Sequence, residues 1–279
     1  MQNERTWQFW DDYYTSQEKD AQEWIVEPTI DLLEKLSEHL PRHNRTIHIL
    51  EIGCGISTSA RDFYSYLLKK NIDANVIATD ISPVCIALNQ QRDDLTPTEH
   101  RFEYRTLNVA EQHPDLNESF DIILDKGCLD TFAFRSKQRG QNQPYALLIR
   151  TVLDNIHSWL QPDGVYWVLT PRRKFRSVRD FRGFETVHRV ELTTIPRGEL
   201  VSTQQHTYLH VCQKNQQYLP NTDDHAFCKG HEETIDDDSS CPKCHKTFYE
   251  FRKGEPMDGQ GKSVWWRRWR GHCRHCKRK

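Results

Sequence analysis

The chain has 279 residues, 28% of them charged and 36% hydrophobic, with a formal net charge of -2. That length buries one sizeable core with a small annex, and no apolar run reaches membrane-spanning length, so a membrane partner is not expected. The near-neutral total hides an asymmetry: from Cys241 onward 12 Lys and Arg face 3 Asp and Glu, while the first 240 residues carry 26 against 37, which predicts two units with different partners.

The opening MQNERTWQFW has no apolar secretory core. The 9 cysteines are therefore expected in a reducing compartment, the cytoplasm or alternatively the nucleus, where clustered cysteines bind metal more often than they pair. Trp7, Trp10 and Tyr14 recur at helical spacing and predict an aromatic-faced helix. In PTIDLLEKLSEHL, Ile30, Leu33, Leu36 and Leu40 form an amphipathic stripe ended by Pro41, whose expected role is packing.

The pattern then alternates. IHILEI, NVIATDI, SFDIILD, GVYWVLT and TYLHVCQ read as buried strands, with TSARDFYSYLLKK, PVCIALNQQR and YALLIRTVLDNIHSWL as helices between the early ones. Strands alternating with helices predict an α/β, Rossmann-like doubly wound sheet, mostly parallel and covered on both faces. FETVHRVELTT adds a strand that turns near PRGEL and returns through TYLHVCQK as an antiparallel pair at one end. Beyond residue 215 the pattern is lost. Residues 1–215 are expected to form the main domain, with 1–45 a helical or lid segment, 216–240 an acidic linker and 241–279 a separate element.

ILEIGCGIS places Gly53 and Gly55 directly behind the first strand. Without a Cβ they let the backbone approach a ligand, at the strand-to-helix crossing where doubly wound sheets bind their ligands. No third glycine follows at the spacing of a dinucleotide fingerprint, which argues against a pyrophosphate. Asp80 ends the next strand, where a carboxylate accepts both hydroxyls of a ribose. An adenosyl group carrying an amino acid, S-adenosylmethionine, suits the pair.

On these residues, positions 1 to about 215 resemble a class I, seven-stranded S-adenosylmethionine-dependent methyltransferase. The resemblance implies that Glu51, Gly53 and Gly55 sit beside the methionine portion, with Cys54 and Ser57 in the same turn. It places Asp80 on the ribose with Ile81 beside it. Asn108 meets the adenine amine, with Val109 beside it, and Asp125 lies near the methyl group. GCGIS, DKGCLDT and FWDDYYTSQEKDAQEWI are further similar to the branch holding the elongation-factor and citrate-synthase lysine methyltransferases. Cys128 replaces that branch's usual Thr. The aromatic opening segment closes over the cofactor in that branch, which makes Trp10 and Trp24 lid residues; the other reading is that they cap the sheet.

Methyl transfer is an in-line displacement that needs alignment and desolvation, and a lysine acceptor, whose ordinary pKa is about 10.4, must first lose a proton. Asp125 is the expected catalytic carboxylate that orients the amine, with Asp130 second; the other reading of Asp130 is a helix-start carboxylate. Lys126 is read as pairing with an acid at the rim. No D/N/S-P-P-aromatic tetrapeptide follows the fourth strand, so adenine N6, cytosine N4 and glutamine are disfavoured acceptors, and Cys128 reads as a small packed thiol. In TPRRKFRSVRDFRGF, residues Arg172, Arg173, Lys174, Arg176, Arg179 and Arg182 form either a solvated stretch or a positive collar at the site's rim for an acidic protein or a phosphate backbone.

Cys241, Cys244, Cys273 and Cys276 form a CxxC…CxxC pair around a β-prone, glycine-bearing segment, which predicts one structural Zn2+ held by four thiolates. Cys228 and His231, spaced C-x-x-H, are not expected to form part of a second metal site. Trp265, Trp266 and Trp269 interleave with Arg267, Arg268 and Arg270, an arrangement that either stacks on nucleic acid or packs across the ribbon. The expected partner is a macromolecular substrate: a protein lysine, or alternatively RNA held by the basic ribbon. A non-catalytic scaffold of the same fold is the remaining reading.

Overall fold

The computed structural model describes residues 4–16, 23, 25–41, 45–93, 101–132, 142–194 and 205–219. Trp24, most of the acidic linker and the cysteine-bearing tail lie outside these residues. The elements in chain order are α1 (Glu4–Thr15), α2 (Ile30–Ser37), β1 (Ile47–Ile52), α3 (Ser59–Lys69), β2 (Ala74–Asp80), α4 (Pro83–Asp93), β3 (Phe102–Thr106), β4 (Phe120–Lys126), α5 (Asn142–Trp159), β5 (Leu160–Thr170), α6 (Arg176–Arg179), β6 (Phe184–Thr194) and β7 (Gln205–Lys214).

The strands form one 7-stranded sheet in the order β3-β2-β1-β4-β5-β7-β6. Strands β1 to β5 run parallel, and β7 inserts antiparallel between β5 and β6. Strand order reverses beside β1, whose neighbours are β2 and β4, so the crevice at their carboxyl ends is where such a sheet takes its ligand.

Why the central strands read as unbroken apolar runs is visible in their packing. Successive side chains of a strand point to opposite faces. Ile122, Leu124, Val165, Trp167 and Leu169 join one buried layer with α2 and α3. Ile123, Tyr166 and Val168 join the other, with Ile149, Val152, Leu153 and Ile156 of α5. Both faces are covered, so the central strands show no regular alternation of apolar and polar residues.

The structure departs from the sequence reading at particular elements. β3 completes the expected seven strands, but FEYRT carries no apolar run: at the sheet edge only Phe102 and Tyr104 are buried, and the intervening side chains face solvent. The stripe on α2 runs through Leu32, Leu33 and Leu36, whereas Ile30 is 63% exposed because it occupies the first helical position, outside the packed face. Beyond β7, Tyr218 is buried, and its hydroxyl donates to Asp154 of α5 and accepts from Arg150.

Candidate active site

The turn after β1 is shaped by its glycines. Gly53 and Gly55 have φ of 61° and 57°, a left-handed conformation that costs an L-residue roughly 1–2 kcal/mol. A Cβ on Gly53 would also lie 2.7 Å from both Cβ and Sγ of Cys128. The turn is stitched to β2 by Cys54 N donating to Thr79 O at 2.8 Å and by the Thr79 hydroxyl donating to Glu51 O.

Two carboxylates flank the turn. Asp80 is buried and accepts from Gly55 N at 3.1 Å and Ser82 N at 3.0 Å. Burial pushes its pKa up to about 6, although the backbone donors oppose the rise. Glu51 is buried as well, and its Oε1 has no hydrogen-bond partner. Burial raises the Glu51 pKa to about 8; the Lys126 charge pulls it back, while Glu23, Asp125 and Asp80 add to the rise.

The remaining implied cofactor residues cluster around this pair with different degrees of freedom. Ser57 donates from its hydroxyl to Glu23, and Cys54 lies in the buried cluster on the turn. Ile81 is half-buried next to Asp80, and Val109 is buried. Asn108 closes a local turn: its Oδ1 accepts from Ala110 N at 3.1 Å and its Nδ2 donates to Glu111. Asn155 of α5, which carried no sequence signal, donates to Val109 O and Glu111 O and so fixes that loop.

At the end of β4 the two acids expected as catalytic carboxylates have different partners. Asp125 is fully buried, and it is the helix-start carboxylate: it accepts from Cys128 N at 2.6 Å, Leu129 N at 3.1 Å and the Tyr166 hydroxyl at 2.7 Å. It holds the turn around Gly127 from below, and burial raises its pKa to about 7. Asp130, expected as the second catalytic carboxylate or alternatively as the helix-start acid, pairs with Arg172 at 2.7 Å. Cys128 packs against Gly53, as a small thiol does.

The basic loop after β5 is anchored. Phe175, Val178 and Phe181 are buried, and Arg172 is committed to Asp130 and to the Phe175 ring. Arg173, Lys174, Arg179 and Arg182 are exposed.

The amino-terminal segment covers the turn. Trp10 stacks on Tyr14 with centroids 5.9 Å apart, and both pack with Cys85 and Ile56. Asp11 accepts from the Ser82 hydroxyl, tying α1 to the start of α4. Glu23 reaches over the mouth: it accepts from Thr58 N at 2.8 Å, from the Ser57 hydroxyl at 2.8 Å and from Lys126 Nζ at 2.7 Å. Burial would raise the Glu23 pKa, but the Lys126 charge and these donors outweigh it and the value is lowered. Lys126 thus pairs with an acid, and that acid is Glu23 of the amino-terminal segment.

Residues 50–166 match the methyltransferase domain family. Citrate synthase-lysine N-methyltransferase of Danio rerio is 29% identical over 142 residues, 46% of this chain and 54% of that protein. A structure solved for conversion of a disulfide bond into a thioacetal group during echinomycin biosynthesis has 17% identity and a TM-score of 0.53, covering 76% of this chain and 94% of its own. Geranyl diphosphate C-methyltransferase from Streptomyces coelicolor A3(2), solved with S-adenosyl-L-homocysteine, has 11% identity and a TM-score of 0.50, covering 74% and 96%. The chain spans about half the length or less of the curated relatives it matches. The chain shares the seven-stranded, Rossmann-like fold of these solved methyltransferase structures, and residues 50–166 match the methyltransferase domain model.

Proposed function

We propose that the chain is an S-adenosylmethionine-dependent methyltransferase that acts on lysine side chains of a protein. The observation that carries the cofactor half is the pair of buried carboxylates, Glu51 and Asp80, on either side of the Gly53–Gly55 turn. An unpartnered buried carboxylate oxygen is costly, and Glu51 Oε1 is such an atom. The cofactor's ammonium is a donor of the right charge for it, and the ribose hydroxyls suit Asp80. S-adenosylmethionine supplies a methyl group on a sulfonium, electrophilic without further activation.

The chain's own residues align and enclose. Asp125 pins the Gly127–Leu129 turn and so fixes the floor on which the acceptor amine rests. Glu23 and Lys126 draw the amino-terminal segment across the mouth, excluding water from the displacement. With Asp125 sealed beneath the turn, proton removal from the acceptor falls to solvent or to a group brought by the substrate. Lysine is favoured by the similarity to the citrate-synthase enzyme of Danio rerio and by the absence of an amine-gripping Pro-Pro-aromatic motif after β4. The four cysteines Cys241, Cys244, Cys273 and Cys276 are proposed to hold a structural zinc.

Tritiated S-adenosylmethionine with a cell lysate tests the acceptor. Label that protease removes and RNase leaves supports the lysine reading; label that survives protease and is lost to RNase makes the acceptor RNA.

A further inference from the structure

We infer that Cys54, Cys85 and Asp80 form a binding site for a thiophilic divalent ion, Zn2+ or Cd2+, and that the ion and the cofactor exclude each other. The ligand atoms of these buried residues all lie within 4.8 Å of one another. Cys54 comes from the glycine turn, Asp80 from the end of β2 and Cys85 from the first turn of α4, so three elements converge on one point. Zinc–sulfur and zinc–oxygen bonds of about 2.3 and 2.1 Å separate the ligands of a tetrahedral ion by roughly 3.5 Å. The residues therefore close on an ion with small side-chain movements.

The surroundings suit ligation. Tyr14 and Cys85 pack in one buried cluster beside the turn. Asn89 Nδ2 lies 3.7 Å from each sulfur and donates to Gly55 O at 2.6 Å, which holds the amide facing both thiols. Such outer donors orient and stabilise ligating thiolates. Gly55 N and Ser82 N engage one oxygen each of Asp80, and a carboxylate offers about four lone-pair positions, so one remains for a metal. On binding, each thiol releases its proton to solvent, two sulfur–metal bonds and one oxygen–metal bond form, and nothing is oxidised. The fourth tetrahedral position is left to water or to Tyr14.

Exclusion follows because the oxygen that takes the metal is the one assigned to the ribose; this half rests on the cofactor reading, and the metal half does not. The test is cadmium-113 NMR on the full chain. In wild type a four-thiolate resonance from the tail is expected beside a second, upfield resonance from a two-thiolate, one-carboxylate site. Cys54→Ala and Cys85→Ala should each lose the second resonance and about one equivalent of bound metal, with the circular dichroism spectrum unchanged. Saturating S-adenosylhomocysteine, its binding followed by calorimetry, should suppress the same resonance in wild type. No second resonance in wild type, or its survival in both variants, overturns the site. A second resonance that persists beside bound S-adenosylhomocysteine overturns the exclusion. A resonance with no heat from the nucleoside instead sinks the cofactor reading and leaves the metal site standing.

Discussion

Lys126 Nζ at the end of β4 lies 2.7 Å from Glu23 Oε2, and both side chains are almost wholly buried. The pair joins the amino-terminal segment to the strand end, and Glu23 at the same time caps the start of α3 through Thr58 N. Breaking one half of a buried pair strands the other charge, which costs about 3–5 kcal/mol, while removing both costs less.

Lys126→Met should therefore destabilise the protein more than the Glu23→Gln, Lys126→Met double variant. A double-mutant cycle by urea denaturation should return a coupling of about 1–3 kcal/mol. Additive single-variant effects would show that the contact contributes nothing.

Glu51, Asp125 and Asp80 carry pKa values raised to about 8, about 7 and about 6. Each acid binds its proton more tightly folded than unfolded, so its stabilising contribution is complete below the ordinary carboxylate range and is lost as pH rises through those values. The ligand-free protein should lose stability between about pH 5 and pH 8, with a limiting slope of about 1.4 kcal/mol per pH unit for each group. Glu51→Gln should flatten the upper end of that range. Melting temperatures that are level or rise with pH would contradict it.

The same acid links cofactor binding to protons. Glu51 is largely protonated at pH 7, and an arriving ammonium favours its ionised form. Calorimetry of S-adenosylhomocysteine in buffers of different ionisation enthalpy should therefore show close to one proton released per molecule bound, roughly the fraction still protonated at that pH. The release should vanish in Glu51→Gln; equal heats in every buffer would place the ammonium elsewhere.

Asp80→Ala removes the acceptor for Gly55 N and Ser82 N as well as the assigned ribose ligand. Hydrogen bonds to a charged group contribute about 1.5–3 kcal/mol each, so affinity for S-adenosylhomocysteine should fall about 100-fold or more. A wild type that gives no binding heat would instead make the domain a scaffold.

Gly53→Ala meets both a left-handed backbone and the Cys128 side chain. Together these should cost about 2–4 kcal/mol in denaturant unfolding. Adding Cys128→Gly should return the steric share and leave the backbone share, because φ is set by the turn.

Local pattern determined much of this protein. Apolar runs with no polar alternation announced strands covered on both faces, and Gly53, Gly55 and Asp80 were legible because a left-handed turn and a strand-end acid each leave a mark in the chain. The seven-stranded resemblance implied β3, but its residues could not be located because an edge strand buries too few side chains to leave such a mark. Tertiary structure alone decided which acids are free. Asp125 and Asp130 look interchangeable in DKGCLD, yet one lies under backbone donors and the other meets Arg172 from a distant strand end. It also decided that Glu23 reaches Lys126 and that Cys54, Asp80 and Cys85 converge. Each of these depends on distances between residues far apart in the chain, and no sequence spacing encodes such a distance until the sheet has set it.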